Sequence, residues 1–235
     1  MLRLKKYKNF ILRRGRKLMS IKIDLKIFLF LFLFLLTSQM EIYILLMIFA
    51  IIHELGHLLA GVLLKFKPKE MRLTPFGLQI SFGVDVQQYS KKNKEIVIKK
   101  AIISLSGPII NFLIAVVMIA VAKFDINIQN IYVYQIIIYS NLVIGLFNLI
   151  PIYPMDGGRV LKEILKLAFG NKKAYKYTYL ASKTILILLT VFASIAILYI
   201  QNIAIVLILA YLWYLEVLEI RKYNRRKEIE KLVEI

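Results

Sequence analysis

Two histidines and a glutamate, in the order His53-Glu54-Leu55-Gly56-His57, interrupt a run at 42–64 that is otherwise apolar. An α-helix turns about 100° per residue, so His53 and His57 project from one face, about one turn apart. Two imidazole nitrogens placed this way suit a single Zn2+. Glu54, three residues before His57, lies near the same face and is placed to take a proton from a water as general base. A divalent metal held there lowers the pKa of such a water toward neutrality. Each ionisable group at mid-bilayer depth costs roughly 3 kcal/mol on insertion scales. These are also the only two histidines in the chain. Three costly groups at ligand spacing point to hydrolytic metal chemistry rather than to packing.

Such a site needs a third protein ligand. With no cysteine in the chain, it must be a carboxylate. Asp156 is the leading candidate, within Asn148-Leu149-Ile150-Pro151-Ile152-Tyr153-Pro154-Met155-Asp156-Gly157-Gly158-Arg159. Pro151 and Pro154 cannot continue a helix, and Gly157-Gly158 permits unusual backbone angles. The same composition suits an ordinary Pro/Asp/Gly turn.

Membrane helices must position these groups. The chain has 235 residues, is 60% hydrophobic and has a mean hydropathy of +0.70, which excludes an ordinary soluble domain. A span needs roughly 20 apolar residues. Six spans are predicted, at about 25–40, 42–64, 101–122, 131–150, 177–200 and 203–220. The first is short, but Thr37-Ser38-Gln39-Met40 offers no small-x-small cleavage site, so it reads as an uncleaved span. Gln201-Asn202 leaves room only for a tight turn, which makes the last two spans a helical hairpin.

The formal charge of +19 is carried in clusters. Segments 1–26, 65–100, 151–176 and 221–235 hold every Lys and Arg except Lys123 and Lys183. That asymmetry predicts both termini on the cytoplasmic side, with basic loops against anionic headgroups rather than nucleic acid. Residues 71–84 alternate and are punctuated by Gly, which predicts a short β-hairpin beside the membrane. The expected organisation is a basic interfacial N-terminus at 1–24, a membrane domain at 25–220 with its catalytic core at about 42–159, and a charged helical tail at 221–235. The fold class is thus an all-α membrane protein with six transmembrane helices and a hairpin between helices 2 and 3.

His53-Glu54-x-x-His57 in an apolar helix, then Ser106-Gly107-Pro108-x-x-Asn111, then Asn148-x-x-Pro151-x-x-x-x-Asp156-Gly157, resembles the site-2 protease family of intramembrane zinc metalloproteases. The resemblance covers 42–159. It implies one Zn2+ held by His53, His57 and Asp156, with Glu54 as the catalytic base. It implies that the proline-broken segment folds back to membrane depth inside protein, where irregular backbone is tolerated. The amides of Asn111 and Asn148 would orient the substrate strand or the attacking water. An interhelical hydrogen bond is the other reading of Asn111. Gly107 and Pro108 would permit close packing and a kink, and Pro151 and Gly157 would shape the support around Asp156.

The layout is most similar to the sporulation stage IV subgroup, whose members process pro-sigma factors. Many of those carry a nucleotide-sensing CBS domain after the last span. Residues 221–235 are too few for one, and no PDZ insert is present. The expected activity is hydrolysis of a peptide bond in a membrane-associated protein, by a multi-pass protein of a bacterial cytoplasmic-type membrane. Membrane inhibitor proteins are a further expected partner class. Three other readings compete. A CAAX-processing or heat-shock type metalloprotease would take Glu163, Glu216 or Glu219 as third ligand. A non-catalytic scaffold is disfavoured by the intact Glu54. A metal transporter fits a single His pair poorly.

Overall fold

The computed structural model describes residues 20–36, 40–74, 77–83, 94–124, 128–200 and 203–233. Along the described chain run β1 (Ser20–Ile23), α1 (Lys26–Leu36), α2 (Met40–Leu63), β2 (Lys67–Thr74), β3 (Gly77–Gly83), α3 (Lys94–Phe124), α4 (Ile128–Leu149), α5 (Asp156–Ile200) and α6 (Ile203–Val233). Four helical segments are long and apolar enough to cross a membrane: Tyr43–Leu63, Lys94–Phe124, Ile131–Leu149 and Lys173–Tyr199. They carry the second to fifth expected spans. Many of their apolar side chains are exposed, including Leu59, Leu113, Val143 and Leu188, as helices solvated by lipid require.

Two features of the N-terminal part bear on the expected layout. Helix α1 has 11 residues, a rise of about 16 Å, which is about half of a hydrocarbon core. Residues 37–39, which would lengthen it, lie outside the described ones. Residues 20–23, at the end of the expected interfacial segment 1–24, form a strand. β1 pairs in parallel with β2, Ser20 against Glu70 through Ile23 against Leu73. The hairpin therefore belongs to a three-stranded sheet of order β1-β2-β3. Four alternating residues are too short a pattern to announce a strand; β1 exists because β2 offers it an edge. Residues 1–19 lie outside the described ones.

β2 and β3 pair antiparallel from Lys67–Gly83 to Thr74–Gly77, with an irregularity between Pro68 and Glu70. Proline has no N–H to give the ladder, so a break there is expected. Helix α2 closes on Lys65, whose φ is +66°. The Phe66 amide then donates to the Gly61 carbonyl, a left-handed helix cap that turns the chain into the sheet.

Helix α3 packs on α2, α4 and α5. Its approach to α2 depends on Gly56, where a Cβ would meet the Ile110 side chain and the Ser106 carbonyl. Residues 94–100, the end of the basic segment 65–100, form the first turns of this same helix. α5 runs 45 residues with a break at Gly170, whose φ is +77°. The basic turns before that break and the apolar span after it are thus separate helical pieces.

Candidate metal centre

Three elements bring the site together. His53 and His57 come from α2, and Asp156 is the first residue of α5. Gly107 and Asn111 of α3 stand against the two histidines, and Pro108 is buried beside Gly107 in the same helix. His53, His57 and Asp156 are all buried, and each offers one ligand atom within 4.8 Å of the others. Asp156 Oδ2 lies 2.9 Å from His53 Nε2 and 3.0 Å from His57 Nε2, and the two Nε2 atoms are 3.1 Å apart.

The far side of each ring decides what those Nε2 atoms can do. His57 Nδ1 lies 2.6 Å from the Ile103 carbonyl, which can only accept, so Nδ1 carries the hydrogen. The same carbonyl also accepts from the Ser106 hydroxyl, at 2.7 Å. His53 Nδ1 lies 2.5 Å from Asn111 Oδ1 and donates to it. Both Nε2 atoms therefore present lone pairs.

Three electron-rich atoms about 3 Å apart, with no donor among them, form the donor set of a cation site. Two imidazole nitrogens and one carboxylate oxygen are the ligands zinc takes in hydrolytic sites.

Gly107 supplies the room. A Cβ there would fall 2.5 Å from His57 Nε2 and 2.6 Å from His53 Nε2, in the space the ligand atoms face. The residues present thus fit a metal both in chemistry and in space.

Asp156 reaches this depth on an irregular segment whose backbone donors are all used. Ile150 N–H donates to Phe147 O, Ile152 N–H to Ile150 O and Met155 N–H to Ile152 O. Tyr153 N–H donates to Ser182 Oγ on α5 at 2.9 Å. The other two residues of 150–155 are Pro151 and Pro154, which have no N–H to satisfy. Non-helical backbone is tolerable at membrane depth under these conditions. Ile152 is 1% exposed and packs with Leu186 of α5 and Leu212 of α6, so the segment is clamped by apolar contact as well. A Cβ at Gly157 would strike the Leu149 carbonyl, and one at Gly158 the backbone at Ile152 and Tyr153. Only glycine lets α5 start so close to the end of α4.

Arg159 stands 3.5 Å from Asp156 Oδ1, the oxygen turned away from the histidines. Its guanidinium stays cationic beside this carboxylate. Glu54 is half-buried, within electrostatic reach of His57, Arg159, Asp156 and His53. A cleft of about 350 Å3 reaches His57 and is lined by Phe66, Ile80 and Phe82 together with Lys100, Arg159 and Lys162.

Two of the expected residues make amide contacts within the protein. Asn148 donates Nδ2 to the Ile144 carbonyl four residues back, at 3.0 Å, and no described contact ties it to the ligand set. Asn111 meets the site through its oxygen rather than its amide hydrogens. Of the rival carboxylates, Glu163 pairs with Lys166, and Glu216 and Glu219 stand on α6; none joins the ligand group among the described residues. Asn141, buried beside Asn111, had no sequence signal.

The family model described as peptidase family M50 matches residues 41–126 and 123–192. A zinc metalloprotease of Methanocaldococcus jannaschii is 31% identical over 174 residues, covering 74% of this chain and 47% of the relative. Stage IV sporulation protein FB of Bacillus subtilis is 27% identical over 141 residues, covering 60% of this chain and 46% of the relative. The chain thus spans about half the length of the curated relatives it matches. Among solved structures, the site-2 protease from Methanocaldococcus jannaschii superposes with a TM-score of 0.63 at 27% identity, over 87% of this chain and 93% of that one.

Proposed function

The chain belongs to peptidase family M50, and from that premise we propose that it is an intramembrane zinc metalloendopeptidase of the site-2 type. His53, His57 and Asp156 are the proposed ligands and Glu54 the proposed catalytic base. The observation that carries this reading is the facing of two Nε2 lone pairs and one carboxylate oxygen across the space left by Gly107.

When bound, Zn2+ would lower the pKa of a water and polarise the scissile carbonyl. Glu54 takes the proton from the attacking water and returns it to the leaving amine nitrogen. Asn111 and the Ile103 carbonyl hold the two imidazoles in the tautomer that leaves Nε2 free. Arg159 occupies Asp156 Oδ1, which leaves Oδ2 for the site.

The substrate proposed is a membrane-tethered protein, with a pro-sigma factor or another tethered regulator as the narrower class. Its peptide must be extended to be cut, and the outer edge of β3, whose Ile80 and Phe82 line the cleft, is the proposed docking strand. Six spans with both termini cytoplasmic, membrane inhibitor proteins and contact with anionic headgroups complete the reading; the cleft would then open toward the cytoplasm.

The test is reconstitution of the chain in liposomes with a single-span reporter polypeptide. Cleavage is expected to need zinc and to fall by about 10²–10⁴-fold in Glu54→Gln, with zinc retained. Equal cleavage by Glu54→Gln would overturn the proposed mechanism.

A further inference from the structure

A chain of amides leads away from His53 and ends on a helix carbonyl. Asn111 Oδ1 accepts from His53 Nδ1. Asn111 Nδ2 donates to Asn141 Oδ1 on α4 at 2.8 Å. Asn141 Nδ2 donates to the Ile137 carbonyl at 2.9 Å. Both asparagines are 0% exposed, so no solvent competes for these groups.

The direction of the chain follows from its far end. The Ile137 carbonyl can only accept, so Asn141 must turn Nδ2 toward it and Oδ1 toward Asn111. Asn111 must then offer Nδ2 to Asn141, and its own oxygen is left facing His53. Reversing either amide would set two oxygens against each other in a buried place, which costs about 1–3 kcal/mol for each unsatisfied group. His53 Nδ1 therefore meets an acceptor at all times, and the ring hydrogen stays on Nδ1.

We propose that Asn141, through Asn111, is a positioning residue for the metal site: it fixes the His53 tautomer and so keeps the Nε2 lone pair available to the metal. The proposal rests on the reading of His53 as a zinc ligand. Asn141 does not touch the ligand set, and a helix-to-helix bond between Asn111 and Asn141 would by itself be ordinary membrane packing. The anchoring at Ile137 makes the pair directional.

A double-mutant cycle on zinc affinity tests it, using the purified full chain in detergent and an equilibrium chelator competition. Outer residues that orient a ligating histidine typically contribute 10–100-fold to metal affinity. Asn111→Leu is expected to weaken zinc binding within that range, and Asn141→Leu to weaken it by at least several-fold. The double variant should bind no more weakly than Asn111→Leu alone, because Asn141 acts only through Asn111. Asn141→Asp, protonated in its buried place, can still accept from Asn111 and donate to Ile137, and should restore the affinity. Should Asn141→Leu not fold, Asn141→Ala enters the same cycle. Undiminished zinc affinity in the Asn141 apolar variants, or a loss that adds in full to that of Asn111→Leu, would overturn the proposal. Failure of the unaltered chain to bind zinc would instead remove the reading beneath it, and the proposal with it.

Discussion

Replacing Gly107 by alanine separates the metal reading from simple packing. A Cβ at this position would lie 2.5 Å from His57 Nε2 and 2.6 Å from His53 Nε2. Zinc bonds imidazole nitrogen at about 2.0–2.1 Å, so the methyl group and the ion would claim the same space. Relieving the clash to an ordinary contact of about 3.5 Å between heavy atoms needs a shift of roughly 1 Å. Zinc sites tolerate errors of only about 0.2 Å in their ligand distances. Intrinsic helix propensity acts in the opposite direction, because alanine in a helix interior is favoured over glycine by about 1 kcal/mol. Gly107→Ala is therefore expected to keep its helical content while losing zinc. The assay is metal analysis of purified protein after dialysis against micromolar zinc, alongside circular dichroism. The expected result is close to one zinc in the unaltered chain and close to none in the variant, with matching helix signals. Full zinc occupancy in Gly107→Ala would refute the placement of the metal between the two histidines.

Other outcomes follow from the same geometry. Asp156→Asn replaces an anionic ligand with a neutral amide oxygen, and chelator competition should show zinc held at least 10-fold more weakly, within the range seen when metal-site groups are altered. Ser182→Ala removes the acceptor of the Tyr153 amide, leaving a donor unsatisfied at a cost of about 1–3 kcal/mol; a lowered thermal midpoint in detergent checks it. Glu70 has its pKa lowered by hydrogen bonds from Arg72 and Lys22. A depressed folded-state pKa contributes stability that is present above the unfolded value and is lost as pH falls through the folded one. The β1–β2 pairing should therefore loosen on acidification below the usual glutamate range, and Glu70→Gln should abolish that dependence. Spin labels at positions 23 and 73, in a chain without native cysteine, would report it as a broadened distance.

What could be read in the sequence was local or carried by a motif. The four-residue spacing of His53 and His57 is enough to put them on one helix face, and their Nε2 atoms stand 3.1 Å apart. Asp156, 99 residues after His57, stood out by its proline and glycine setting and by the family pattern. The partners that orient the rings were not legible in this way. Asn141 is one polar residue in an apolar helix, and only the packing of α4 on α3 places it beside Asn111. Gly107 reads as a packing glycine, because a metal cradle cannot be inferred until both histidines face it. Asn148 stands out by its motif, and the contact its amide makes within its own helix, to the Ile144 carbonyl, is not legible from that motif. β1 escaped because a parallel partner 50 residues along the chain lends it the order its four residues lack.

The most direct measurement is zinc K-edge X-ray absorption on the purified, zinc-loaded chain. With two histidines and no cysteine in the sequence, the nitrogen and oxygen shells have few possible sources. The account predicts two imidazole nitrogens at about 2.0–2.1 Å with oxygen completing the sphere, and the loss of one oxygen contribution in Asp156→Ala. A spectrum with one imidazole or none, or one that Asp156→Ala leaves unchanged, would contradict it.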